Sequence, residues 1–283
     1  MEKKHSIEKT QDTLWIVKQD SYAMNGNADT CNRQDFASGN VCRDENQREH
    51  EMALQRIRET ERYLDKIRGS LFGGAVGDAL GYPVEFFSES QIVSRYGKNG
   101  IQEYELDNSS GKALISDDTQ MTLFTANGIL VANTMEAMGG MGGDLSSYIA
   151  ISYQDWLKTQ NLTFEEAKNQ PRGYGKRCIS WLSEVPELYN LRAPGNTCLS
   201  ALGQQENEKG YVGDYMTHPQ NNSKGCGGIM RVAPIALKPY PLAQIEEIDR
   251  EGAKTAAITH GHSLGYMPAA VLVHIISRII YPK

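Results

Sequence analysis

Three features of the sequence predict an all-α fold. Apolar residues recur at helical spacing, as in Leu54, Ile57, Leu64, Ile67 and Leu71, with Glu and Arg in the gaps. Convincing period-two strands are scarce. The glycine-rich polar stretches fall between helical segments, where loops belong. Residues 49–283 are expected to form a compact multi-helix domain, and residues 1–48 a polar N-terminal extension.

The composition bounds the function. A chain of 283 residues that is 40% hydrophobic and 23% charged suits a soluble globular protein of one large or two small domains. Its net charge of -6 lacks the basic footprint of a polyanion binder, so no nucleic-acid partner is expected. The opening "MEKKHSIEKTQDTLW" has no apolar h-region and does not read as a signal peptide. The late run "MPAAVLVHIISRII" is short and carries Pro268, His274 and Arg278. It reads as a buried helix, and no membrane partner is expected. The five cysteines are odd in number and form no C-x-x-C, which points to a reduced, cytoplasmic chain.

Taken in order, residues 1–48 show weak periodicity apart from one apolar knot, Leu14-Trp15-Ile16-Val17. The segment is either a frayed leader or an arm whose Trp15 knot docks on a partner. From Glu49 a helix runs into "GSLFGGAVGDALGYPVEF", whose small residues allow close helix approach and whose Pro83 ends or kinks it. Further helices are expected at Thr119–Met138, ended by "GGMGGD", and at Leu145–Leu157, Thr163–Asn169, Gly175–Leu182 and Asn196–Leu202. The last three expected are Gly227–Leu237, Leu242–Thr259 and Leu264–Ile280. No fixed-period repeat is visible. "HEMAL" at His50 lacks the second His of a zinc-protease helix, and "FGGAVG" follows a helical pattern rather than a strand, unlike a dinucleotide fingerprint.

Ser116, Asp117, Asp118 and Thr119 place two adjacent carboxylates ahead of an apolar helix. One reading is a cap, with Asp117 and Gln120 at capping-box spacing. One cap needs only one acid, however, and two repel. A hard cation would offset that repulsion and take carboxylate and hydroxyl oxygens as ligands. The two readings are compatible.

"GSLFGGAVGDALGYPVEF" and "SDDTQMTLFTANGIL", followed by "RGYGKRC", "RAPGNTCLSAL", "NNSKGCGGIMRVAPIAL" and "AAITHGHSLGYMPAAV", resemble the ADP-ribosylglycohydrolase family, the group of dinitrogenase reductase-activating glycohydrolase. The blocks stand in the family's order across roughly Ile67 to Tyr281. The resemblance implies an all-helical fold with two divalent ions in a cleft. It also implies removal of ADP-ribose from modified protein side chains, arginine favoured, with an ADP-ribosylated protein as partner. Position by position, Ser116, Asp117 and Asp118 look like a Mg2+ or Mn2+ ligand cluster, with Ser116 where the family often has Thr. Glu85 and Asp118 look like the catalytic acids. Gly195, Asn196 and Thr197 look like a ribose- and phosphate-facing loop. Ser223 and Gly225 look like part of a second cleft loop, and His260 stands where the family has a His close to substrate.

Plainer roles stay open beside these. Glu85 answers a nearby Arg, Asn196 caps a helix, His260 is a core histidine, Cys226 is a packing residue, and Arg231 meets a helix C-terminus. The chemistry would use the sharper ones. Cleaving the ribose C1–guanidine bond builds positive charge on the sugar, and a carboxylate such as Glu85 or Asp118 would orient the attacking water.

The resemblance breaks at the C-terminal side. The family has a second acidic cluster, Asp-x-Asp-Thr, and this sequence has no Asp or Glu after Glu251. A fragment or short form with an incomplete two-ion site is expected, unless Asp144 or Asp214 substitutes. The extension ahead of the first block suits a second role. Some relatives are immunity proteins whose N-terminal arm plugs an ADP-ribosyltransferase toxin, and such a toxin is the alternative partner.

Overall fold

The computed structural model describes residues 41–139, 143–169, 178–207, 214–238 and 244–282. The Trp15 knot lies outside the described residues. The chain divides into two compact units, residues 1–60 and 61–283.

Among the described residues the structure is all-α, with no strand and one isolated bridge between Leu106 and Ala113. Nine α-helices are described: α1 Val41–Gly81, α2 Glu89–Tyr96, α3 Asp117–Ala137, α4 Leu145–Asn161, α5 Phe164–Asn169, α6 Asn196–Asn207, α7 Ala233–Leu237, α8 Ile245–Ala257 and α9 Ser263–Ile280. Helix α1 starts at Val41, so the end of the expected extension is helical. Leu54, Ile57 and Leu64 of its apolar stripe are exposed.

Helix α2 had no counterpart among the expected helices. It is mostly exposed and only eight residues long, too short for a helical repeat to stand out. Its start is nevertheless a full capping box, with Ser88 and Gln91 each satisfying the other's backbone N–H. The expected helix at Gly175–Leu182 is, where described, an extended approach to a 3-10 turn at Trp181–Glu184. The expected helix Gly227–Leu237 is two pieces, a 3-10 turn Cys226–Arg231 and α7. Pro234 lacks an N–H and suits the first turn of α7, so one helix cannot run through it.

The core of the second unit forms around α3 and α4. Met121 and Phe124 of α3 meet Ile149, Tyr153 and Trp156 of α4, joined by Leu202, Ile235, Ile258 and Val273. Polar rungs cross the same seam. Thr125 Oγ1 lies 2.5 Å from Tyr153 OH, Ser152 Oγ donates to Phe124 O at 2.7 Å, and Trp156 Nε1 donates to Gln120 Oε1 at 3.1 Å. The expected box partner Gln120 is thus spent on the core.

Helix α9 packs one face on α8, where a Cβ on Gly252 would lie 2.8 Å from Val273 Cγ2. It was expected to be buried, yet Leu264, Met267, Val271, Ile275 and Ile279 are exposed on it. By length and composition it is long and apolar enough to cross a membrane.

The α3–α4 seam rests on Gly128, where an added Cβ would sit 2.8 Å from Ile149 Cα. Backbone cannot yield as a side-chain tip can. Gly128→Ala is expected to destabilise the protein by about 1–3 kcal/mol in urea unfolding. Gly69→Ala, in open space on α1, is expected to be neutral or stabilising by about 0.5–1 kcal/mol.

Candidate active site

The second half of α1 carries Gly74, Gly77 and Gly81 on the wall of a cavity of about 410 Å³. Missing side chains on a helix leave a groove at its surface. Asp78, Tyr82 and Glu85 line that side, and Ser116, Asp118, Thr119 and Thr122 line the other, with Met230 and Ala233. Both oxygens of Asp78 accept from Ser116 N, at 3.1 and 2.9 Å, and Oδ2 also accepts from Thr119 N at 3.2 Å and from Thr119 Oγ1. A carboxylate from α1 therefore takes up free N–H groups at the start of α3. Ser116 is the N-cap residue itself, accepting from Asp118 N at 3.2 Å. The capping-box pairing of Asp117 with Gln120 does not form.

The two adjacent carboxylates have different surroundings. Asp118 opens onto the cavity with Glu85. Asp117 is 3% exposed. Its N–H donates to Arg192 O at 3.0 Å and its Oδ2 accepts from Gly195 N at 3.1 Å. Burial pushes the Asp117 carboxyl up to about 7 against the Gly195 bond, helped by Asp118 and Glu85. Asp118 is pushed up to about 6 by desolvation, then by Asp78 and Glu85. Glu85 is raised by desolvation and by Asp78. Glu85 forms no ion pair among the described residues, so the answering-Arg reading has no support there. Crowded carboxylates that resist ionisation beside one another are a demand for positive charge.

The remaining expected residues gather on the other side of Asp117. Gly195 is held by it, and α6 starts at Asn196, which puts Gly195 rather than Asn196 at the capping position. Thr197 Oγ1 lies 3.5 Å from Ser223 Oγ, and Ser223 Oγ accepts from Gly225 N at 3.3 Å. A Cβ on Gly225 would lie 3.3 Å from His260 Nε2. His260 is 2% exposed, and burial, then Arg231, pushes its imidazole down to about 4. It is a buried histidine and a wall of the loop together. Cys226 is exposed rather than packed. Arg231 meets a helix C-terminus as one reading had it, donating to Thr255 O in the last turn of α8 at 3.3 Å.

Sequence reasoning missed Asp78 and Asn221. Asp78 could have been noticed as the one acid in an otherwise small and apolar run. Asn221 clamps two loops, accepting from Ser223 N at 3.0 Å and Gly261 N at 3.1 Å while donating to Thr259 O at 2.9 Å. Nothing local in the sequence marks it. The substitute acids serve elsewhere. Asp144 accepts from Ser146 Oγ and pairs with Lys254, and Asp214 Oδ1 accepts from Met216 N.

The donor set is hard oxygen throughout: Ser116 hydroxyl, Asp118 and Glu85 on the cavity, Asp117 behind them. That chemistry fits a magnesium-type cation. No group of three or more His, Cys, Asp or Glu arranged to hold a metal ion occurs among the described residues.

The model of a family described as ADP-ribosylglycohydrolase matches residues 59–282. The chain is 24% identical over 221 residues to the uncharacterized protein YegU of Escherichia coli (strain K12), covering 76% of this chain and 54% of that protein. It is 23% identical over 216 residues to the ADP-ribosyl-dinitrogen reductase glycohydrolase of Rhodospirillum rubrum, covering 76% and 58%. It is 26% identical over 212 residues to ADP-ribosylhydrolase ARH3 of Danio rerio, covering 74% and 46%. The chain spans about half the length of the curated relatives it matches.

Two outcomes follow from the geometry. Asp78→Ala leaves N–H groups of α3 without their acceptor and is expected to cost about 1–3 kcal/mol in urea unfolding. The second concerns pH. Asp117 holds its proton up to about 7 when folded, against 3.8 for the ordinary carboxyl. Its stabilising protonation is complete below the unfolded value and is lost as pH rises through the folded one. Asp117→Asn keeps an acceptor for Gly195. Without divalent cations it is expected to exceed the wild type in stability at pH 8 by on the order of 2 kcal/mol, and not at pH 4. His260, lowered from 6.5, contributes in the opposite sense. It is present in both proteins and cancels in the difference of their urea midpoints.

Proposed function

The chain belongs to the ADP-ribosylglycohydrolase family, and on that premise we propose that it hydrolyses ADP-ribose from modified protein side chains, arginine favoured. The observation that carries the reading is the convergence of Glu85, Ser116 and Asp118 on one cavity, with the Gly195–Thr197 and Ser223–Gly225 loops joined to it through Asp117.

The family typically binds Mg2+. Ser116, Asp117 and Asp118 are the residues that would hold it here. Such a cation supplies positive charge for ribose hydroxyls and lowers the pKa of bound water. The chain's own residues do the rest. Glu85 or Asp118, as a carboxylate, accepts one proton from the water that attacks ribose C1, while the C1–N bond breaks and the arginine guanidine leaves with the bonding electron pair and is protonated from solvent. Asp78 takes no proton in this scheme. It holds the start of α3 so that Ser116 and Asp118 keep their direction. Asp117 couples that start to Gly195, so the ribose side and the phosphate side move as one. Backbone N–H groups at the glycine-rich loops are donors for the pyrophosphate. Cys178, Cys198 and Cys226 are free thiols, in keeping with action in a reducing cytoplasm.

The test is release of ADP-ribose from an ADP-ribosylated arginine protein, with and without Mg2+. Release is expected to need the cation. Asp118→Asn and Glu85→Gln are each expected to lower the rate by a factor of about 100 or more while leaving thermal unfolding cooperative. Equal release by the two variants and the wild type would remove the cavity from the reaction.

A further inference from the structure

Behind His260 runs a buried hydrogen-bond chain that decides where the ring carries its proton. Nδ1 lies 2.8 Å from Thr259 Oγ1, and Arg231 NH2 donates to the same oxygen at 2.6 Å. A guanidinium can only donate, so one lone pair of Thr259 Oγ1 is taken. The hydroxyl hydrogen then has two destinations, His260 Nδ1 at 2.8 Å or Cys198 Sγ at 3.9 Å. The sulfur is the weaker acceptor and the more distant one. The cation also polarises the hydroxyl into a better donor, and an Nδ1–H would aim a further positive hydrogen at an oxygen already facing Arg231. Nδ1 is therefore the acceptor, and the neutral ring carries its hydrogen on Nε2.

Nε2 faces the Ser223–Gly227 loop. A Cβ on Gly225 or on Gly227 would lie 3.3 Å from it, so the glycines leave its approach open. Nε2 has no hydrogen-bond partner among the described residues, although His260 is 2% exposed. The Asn221 clamp keeps the histidine and the loop in register.

We infer that Arg231 and Thr259 are positioning residues that hold His260 as the Nε2–H tautomer, a neutral donor presented at the Ser223–Gly227 loop to an acceptor oxygen of the ligand. A site so built favours an oxygen that accepts and disfavours a group that donates. Only the identity of the ligand rests on the ADP-ribose reading above; the tautomer does not.

The test is 15N NMR of the full chain with labelled histidine rings, the His260 signals being assigned by their loss in His260→Gln. The wild type at pH 7 is expected to show an unprotonated Nδ1 and a protonated Nε2, and Thr259→Ser to show the same. Thr259→Val is expected to lose that bias and to bind ADP-ribose about tenfold more weakly by calorimetry, with Thr259→Ser restoring the affinity. A protonated Nδ1 in the wild type overturns the inference. So does a Thr259→Val protein that keeps both tautomer and affinity. If Thr259→Val does not fold, the wild-type and Thr259→Ser spectra decide. A wild type that binds no ADP-ribose sinks the proposed function, while its ring spectrum still decides the tautomer.

Discussion

The carboxylate of Asp78 at the start of α3 is the constraint on which the candidate site depends. A helix start leaves backbone N–H groups without intrahelical partners, and here one acid from another helix accepts from two of them and from a threonine hydroxyl. That bond set fixes glycine-rich α1 against α3, and the cavity is the space the glycines leave between them. Ser116 and Asp118 then face the cavity because the start of α3 cannot turn. The cost is electrostatic. Burial, and after it the Asp78 carboxylate, raises both Asp118 and Glu85, so the arrangement is most comfortable with positive charge in the cavity.

The only cation placed deep near the site points elsewhere among the described residues. Arg231 is 0% exposed, stacks 4.5 Å from the Tyr153 ring centroid, and donates to two sulfurs, a carbonyl and a hydroxyl rather than to a carboxylate. Its Nε has no partner. A buried guanidinium held by neutral acceptors and a ring is costly to desolvate, so its place is informative. It ties α3, α4, α6 and α8 at one point and reaches His260 through Thr259. Two close approaches press the cleft loops onto the same point. A Cβ on Gly261 would meet Asn221 O at 2.3 Å, and one on Gly265 would meet Ser223 O at 2.6 Å. Packing and chemistry therefore share one scaffold.

How much of this was legible depended on whether the signal was local. The long helices α3, α4 and α9 showed as long apolar stretches between turn residues, and their starts lie within two residues of those expected. The candidate residues Ser116, Asp117 and Asp118 stood out because acids ahead of an apolar run are locally odd, and the candidate cleft loops stood out through glycine and resemblance to a family. Helix α2 escaped because eight residues span barely two turns, too few for a helical repeat to stand out, although Ser88 and Gln91 marked its start. The Gly227–Leu237 helix was drawn through Pro234, a local signal that should have divided it. Gln120 stands at the spacing of one reading, a capping box, but the indole of Trp156, far along the chain, claims its oxygen.

By itself the sequence determined the all-α class and the family, and it marked Ser116–Asp118 as candidates, because periodicity, turn residues and ordered motifs are written in neighbouring positions. Only the tertiary structure decided how those residues are used. Asp117 and Asp118 are adjacent in sequence, yet one is buried against Gly195 and the other opens onto the cavity. Asp78 became the clamp of α3, and Thr259 became the link between Arg231 and His260. Each of these roles is a contact between segments far apart in the chain. Its energy depends on burial and on which donor meets which acceptor, and neither quantity exists until the helices have packed.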